Sequence, residues 1–216
     1  MLPVVAMAGV AVGVIGCKVT EEGDDAQGSS ASATSLNSSA AAQPENPDEA
    51  MPPEMLAWID AGTPDEHHEV LERFVGEWDA EATFRMGPDQ PESTSMGSQS
   101  SEMVYDGRFV KSIYRGDFGG MPFEGMSLMG YDKIKKKYVS LWVDSMSTMI
   151  YTDSGSYDAE SESFTMKTTM TDPMGREVQA KHVMRFEGDD RIVFEMHESV
   201  DGGEWFQNGT LVYTRR

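Results

Sequence analysis

The chain has 216 residues, 39% of them hydrophobic, which suits one core and a tail. Seventeen basic residues stand against 37 acidic ones, a net charge of −20. That sign argues against nucleic acid as a partner and against simple adsorption to anionic lipid, because both need a basic surface. The single cysteine, Cys17, excludes an intrachain disulfide, and the 17 methionines supply core filler or a soft lining for an apolar ligand.

Met1 to Gly16 is an uncharged run of apolar and small residues, too short for a confident membrane span. It ends Val14-Ile15-Gly16-Cys17, which resembles the bacterial lipobox, where a small residue precedes a cysteine that accepts diacylglycerol. The resemblance implies a lipoprotein signal over residues 1–17 and lipidation at Cys17, and with it an exported protein held to the bacterial cell envelope. One departure is visible: Met1-Leu2-Pro3 lacks the lysine or arginine that opens a secretory signal. Residues 18–53 are Ser, Ala, Glu, Asp, Gln and Pro with hardly an aromatic. Such a segment buries too little apolar surface to offset its ordering entropy and is expected to be a flexible linker.

A domain is expected over residues 54–216. Met55 to Asp60 reads as one short helical turn. Thr63-Pro64-Asp65-Glu66 reads as a helix start, with Thr63 as cap and Pro64 in the first turn. Val70, Leu71 and Phe74 give that helix an apolar stripe, and Gly76 is expected to end it. Such a helix could plug one end of a barrel.

After Gly76 the period changes to two. Trp78, Ala80, Ala82, Phe84 and Met86 alternate with charged or polar residues, as in a half-buried strand. Further strands are expected near Met96–Tyr105, Arg108–Phe118, Pro122–Tyr131, Lys137–Ser145 and Met149–Tyr157. Four more follow around Phe164–Met170, His182–Phe186, Ile192–Met196 and Glu204–Thr214. Asp106-Gly107, Asp172-Pro173-Met174-Gly175 and Gly188-Asp189-Asp190 are turn signals between them. About ten short strands make an all-β fold. An up-and-down antiparallel barrel is its simplest closure and a sandwich the alternative. Gly130-Tyr131-Asp132 leading to Tyr138 is echoed by Ser156-Tyr157-Asp158 leading to Phe164, which is hairpin grammar.

Several of these stretches together resemble the bacterial family known as domain of unknown function 1579. They are His68 to Leu71 with Gly76-Glu77-Trp78, Gly119 to Gly125 with Gly130-Tyr131-Asp132, Trp142-Val143-Asp144-Ser145, and the ending Tyr213-Thr214-Arg215. The resemblance covers about His67 to Arg216 and implies a calycin-like barrel. It implies no activity, and kinship to lipocalins, fatty-acid-binding proteins and nitrobindin-like haem barrels is analogy of fold alone.

Alternation puts Tyr138, Ser140, Trp142 and Asp144 on one face of a strand. If that face points inward it makes an aromatic wall with a carboxylate at the rim, and Tyr131, Tyr138, Trp142, Asp144 and His182 are the residues expected to line a ligand pocket. Core packing of Trp142 and turn capping by Asp144 is the competing reading. His182 shares a face with Met184 and Phe186, where it could bind haem iron, act as a base, or be a hydrogen-bonded core histidine. His67 and His68 diverge on their helix and make a poor metal pair, and His68 with Glu72 is a weak one, so no metal site is expected. No phosphate loop, dinucleotide fingerprint or nucleophile elbow is present, so no cofactor and no catalytic set can be assigned. Asn208-Gly209-Thr210 matches a glycosylation sequon inside an expected strand and is discounted.

The readings that remain are a lipid-anchored envelope protein binding a small apolar or amphipathic molecule, an enzyme on a small lipid-like or carbonyl substrate using Asp144, Tyr131 or His182, a haem barrel using His182, and a structural envelope module.

Overall fold

The computed structural model describes residues 51–216. The signal segment with Cys17, and nearly all of the linker, lie outside the described residues. Two helices come first, α1 (Pro53–Gly62) and α2 (Glu66–Glu69), and a 3-10 turn over Val70–Phe74 continues α2. Thr63 is not the cap of the second helix. Its hydroxyl donates 2.7 Å to the Ile59 carbonyl and so finishes α1. Asp65 caps α2 instead: its carboxylate accepts from the His67 N–H, while His68 Nδ1 accepts from the Asp65 N–H at 3.1 Å. Val75 is already extended, and Gly76, at φ +130°, opens the first strand rather than ending the helix.

Ten strands follow: β1 (Gly76–Phe84), β2 (Ser93–Val104), β3 (Phe109–Phe118), β4 (Met121–Asp132), β5 (Lys137–Asp144), β6 (Tyr151–Asp158), β7 (Ser163–Thr171), β8 (Glu177–Phe186), β9 (Arg191–Val200) and β10 (Phe206–Arg215). Each pairs antiparallel with its sequence neighbours, and β1 pairs with β10 to close the barrel. The all-β, up-and-down barrel is therefore the fold, with a short N-terminal plug. The hairpins follow the turn grammar. Asp132 Oδ1 accepts from the Ile134 and Lys135 N–H groups, and Asp158 Oδ1 accepts from the Glu160 N–H. Across these two turns Tyr131 packs on Tyr138 and Tyr157 on Phe164.

Because the period of a strand is two, the register fixes which residues face the lumen. Trp78, Ala80 and Ala82 are fully buried and face inward, and their partners carry that face around the barrel. One end is filled. Leu71 and Phe74 from the 3-10 turn enter it, and Phe74 meets Phe164 and Phe186 at ring distances of 5.6 and 4.9 Å. The hairpins at that end hold the plug. Arg73 Nη1 donates 2.8 Å to Glu162, and Lys133 Nζ donates 2.7 Å to the Asp60 carbonyl.

The wall is uneven. β3 and β4 share ten register pairs, whereas β5–β6 and β6–β7 share five each. β6 pairs with β5 through Tyr138–Trp142 and with β7 through Ser163–Lys167. So Tyr151–Asp153 have partners only on the β5 side, and Thr168–Thr171 only on the β8 side.

Candidate functional site

Midway along the barrel the inner face changes from apolar to polar. Register places Ser101, Ser112, Ser127, Ser140, Asp153 and His182 on it. Ser101 donates to Ser112 at 2.8 Å, so part of this belt is satisfied within itself.

The centre is a chain of four groups from three strands. On β5, the Ser140 hydroxyl donates to Asp153 Oδ1 on β6. The other oxygen of Asp153 lies 2.9 Å from His182 Nδ1 on β8. His182 Nε2 in turn lies 3.4 Å from the Tyr151 hydroxyl, again on β6. The carboxylate accepts, so in the neutral ring Nδ1 carries the hydrogen and Nε2 keeps its lone pair. Tyr151 and Phe194 flank the imidazole at ring distances of 5.6 and 5.4 Å. Burial pushes the Tyr151 phenol well above its ordinary value, and the Asp153 and Glu198 carboxylates add to the shift. The phenol therefore stays protonated at neutral pH and can donate to Nε2 or to a guest.

The arrangement orients one imidazole and aims its lone pair away from the carboxylate. It can accept a hydrogen bond or a proton from a guest polar group. It is not a nucleophile triad, because Ser140 is bonded to the aspartate and not to the histidine.

Trp142 and Asp144 lie on the inner face beyond this belt, toward the end away from the plug. The indole packs against Gly125, where a Cβ would collide with the ring. Its Nε1 donates 3.0 Å to Asp144 Oδ2, while Asp144 Oδ1 accepts from the Met146 and Ser147 N–H groups. Asp144 thus caps the loop after β5 and fixes the tryptophan. Tyr131 and Tyr138 belong to the filled end. Tyr131 stacks on His67 at 4.1 Å, and Tyr138 is buried against Phe164 and donates to the His67 carbonyl at 2.9 Å. The structure thus brings Trp142, Asp144 and His182 to the lumen and leaves the two tyrosines in the plug packing.

A third carboxyl, Glu198, also faces the lumen, through its register with Ala180. Burial raises its pKa, against the pull of Arg176 and of the Asn208 amide, which donates to it at 2.9 Å. Asp65, Glu66 and His67 form the one cluster of possible metal ligands among the described residues. Asp65 already serves there as the helix cap, accepting from His67 and His68.

The sequence reading missed Asp153 and Tyr151 as partners of His182, and Ser140 as the partner of Asp153. A signal was available. Tyr151, Asp153, Gly155 and Tyr157 alternate onto one face, and a carboxylate among aromatics on an inward face needs a partner.

The lumen is open to solvent at this level. His182 faces inward, yet 15% of its side chain is exposed, whereas the neighbouring Met166 and Phe164 are fully buried. In a closed barrel an inward side chain meets solvent only through space in the lumen or a break in the wall.

A family profile described as "Protein of unknown function (DUF1579)" matches residues 63–215. The chain belongs to that family. No curated protein matches the chain in sequence. The DUF1579 domain is similar in structure to Rv2717c from M. tuberculosis (12% identity, TM-score 0.53), covering 71% of this chain and 99% of that one. It is also similar to the S-type phycobiliprotein lyase CPES from Guillardia theta (11% identity, TM-score 0.50), covering 71% and 98%. At these identities the likeness concerns the fold, and it agrees with the calycin-like barrel of the DUF1579 domain.

Proposed function

We propose that the barrel binds a small amphipathic molecule, with its polar group at His182 and its apolar part against Trp142, Phe194 and Met196. The observation that carries this reading is the imidazole held by Asp153 in a solvent-reached lumen, with the Nε2 lone pair directed at Tyr151 and not at the carboxylate. A barrel whose only need was a core would fill this level with apolar side chains, as it does at Phe164 and Met166. Membership of a fold that includes a phycobiliprotein lyase supports a lumen that can be adapted to a guest.

The neutral fluorophore N-phenylnaphthylamine tests it. Saturable binding is expected, with about one probe per barrel, as for a single enclosed pocket. Ser127 lies on the inner face between Ser112 and Trp142 in register. Ser127→Phe should fill the lumen and weaken binding by about tenfold or more, near 1.4 kcal/mol, while the circular dichroism spectrum stays that of the wild type. Absence of saturable binding, or equal binding by Ser127→Phe, overturns the pocket.

The lipobox-like ending at Cys17 supports a second part of the reading, anchorage of the barrel to the bacterial envelope through a lipidated Cys17 and the linker after it. Expressed as the full chain in a bacterium, the protein should partition into detergent, and Cys17→Ser should move it to the aqueous phase. If the two partition alike, there is no lipid anchor.

A further inference from the structure

The break in the wall between β6 and β7 lies beside the Asp153–His182 pair. Two adjoining depressions, of about 580 and 540 Å³, meet at Lys167 and Thr168 on β7. The first is lined by Val139, Thr152 and Ser154, which face outward, and also by Asp153 and Thr168, which face the lumen by register. The first depression lies where the pairing of β6 with β7 stops, at Ser154–Lys167, and it reaches Asp153 and Thr168 just past that point.

The rim of this gap is basic in a protein of net charge −20. Lys137 and Lys167 line the first depression, and Lys167 and Lys181 the second. Lys167 and Lys181 are Cα partners on neighbouring strands, so their side chains project together from the outer face. Among the described residues none of these three lysines has a carboxylate within ion-pair distance. The nearby acids are engaged elsewhere: Asp132 holds Lys135, and Glu195 faces His197. Lys181 lies over the Trp205 ring at 5.7 Å, so an aromatic surface adjoins the cations. Three lysines along two adjoining depressions, none of them ion-paired, repel one another, and an anion relieves that cost.

The geometry points to a lateral portal between β6 and β7 that takes an anionic amphipath, with its carboxylate or phosphate headgroup on Lys137, Lys167 and Lys181 and its chain passing Thr168 into the lumen. This inference rests on the lumenal binding proposed above and adds to it the charge of the ligand and the route of entry.

Calorimetric titration of the full chain with dodecanoate, dodecyl phosphate and dodecanol tests it. Dodecanoate or dodecyl phosphate should bind about tenfold more tightly than dodecanol, and the advantage should shrink with added salt. The double variant Lys167→Glu/Lys181→Glu, changed only at two outward-facing positions, should erase that preference and leave dodecanol binding unchanged. The stronger of the two anions identifies the headgroup. Equal binding of anion and alcohol by the wild type, or an anion preference that survives the double variant, overturns the portal while leaving the lumen intact. Failure of all three ligands removes the lumen and the portal together.

Discussion

Trp78→Ala should cost the barrel about 3–5 kcal/mol, the range for removing a fully buried tryptophan side chain. Trp78 has no exposed surface, and its Nε1 donates 2.9 Å to the Phe74 carbonyl, tying the plug to β1. The Arg215 guanidinium lies 4.1 Å from the ring centroid on its β10 partner. That same guanidinium donates to the Val75 and Arg73 carbonyls at 2.6 and 3.2 Å. Removing the indole therefore opens a cavity, orphans a carbonyl and loosens the arginine that joins the two ends of the sheet. At roughly 2–4 °C per kcal/mol for a chain of this size, the melting temperature should fall by about 6–20 °C. Trp78→Phe keeps a ring and loses the hydrogen bond, so it should cost less than the alanine variant, with about 1 kcal/mol from the bond. Chemical denaturation of the three proteins checks the order. An alanine variant within about 1 kcal/mol of wild type would mean the plug is not coupled to barrel closure.

The second large effect is expected at Gly155, where β6 passes from its β5 partner to its β7 partner. Gly155 faces Tyr138 on one side and Met166 on the other. A Cβ there would come within 2.8 Å of the Met166 Cα and closer still to the Thr165 carbonyl. These are backbone atoms of a paired strand and cannot swing aside, so β6 and β7 must separate. Gly155→Val should lose about 3 kcal/mol, the upper part of the overpacking range. The loss should show as faster hydrogen exchange of the amides of residues 154–158 and 163–167 before the rest of the barrel. Uniform exchange across all ten strands would show instead that the break between β6 and β7 is no weaker than the rest of the wall.

Both predictions bear on the site. Trp78 keeps the filled end filled, so any guest is confined to the polar level and the end beyond it. Gly155 allows β6 to hug β7 on the plug side and part from it beyond Lys167. The close approach that needs a glycine thus sits directly beside the place where β6 and β7 part, next to Asp153.

Period-two alternation after Gly76 made the strands legible, because one face of each had to be apolar for a core to exist. Aspartate at the hairpin turns made the meander legible, since its side chain replaces the backbone partner that a turn loses. Gly76-Glu77-Trp78 and its companion stretches made the family legible. The start of α2 was misread because Thr63 and Asp65 are both good caps, and only the fold shows that Thr63 is already bonded to Ile59.

The site was legible only in part. The inward face of β5 could be read, and with it Trp142 and Asp144, and the shared face of His182 with Met184 and Phe186 could be read as well. Nothing local joined His182 to Asp153, 29 residues away, because that contact needs β7 between them and the curvature that brings β6 and β8 to one lumen. Nor could alternation separate Tyr131 and Tyr138 from the lumen, since both face inward and only the position of the plug decides which end is filled.

Local sequence, then, determined strands, turns and inward faces, since those depend on side-chain period and on single residues at turns. Tertiary structure alone decided which inward residues meet, which end of the barrel is closed, and where its wall parts. Those depend on register around a closed sheet, and a closed sheet sums contributions from every strand.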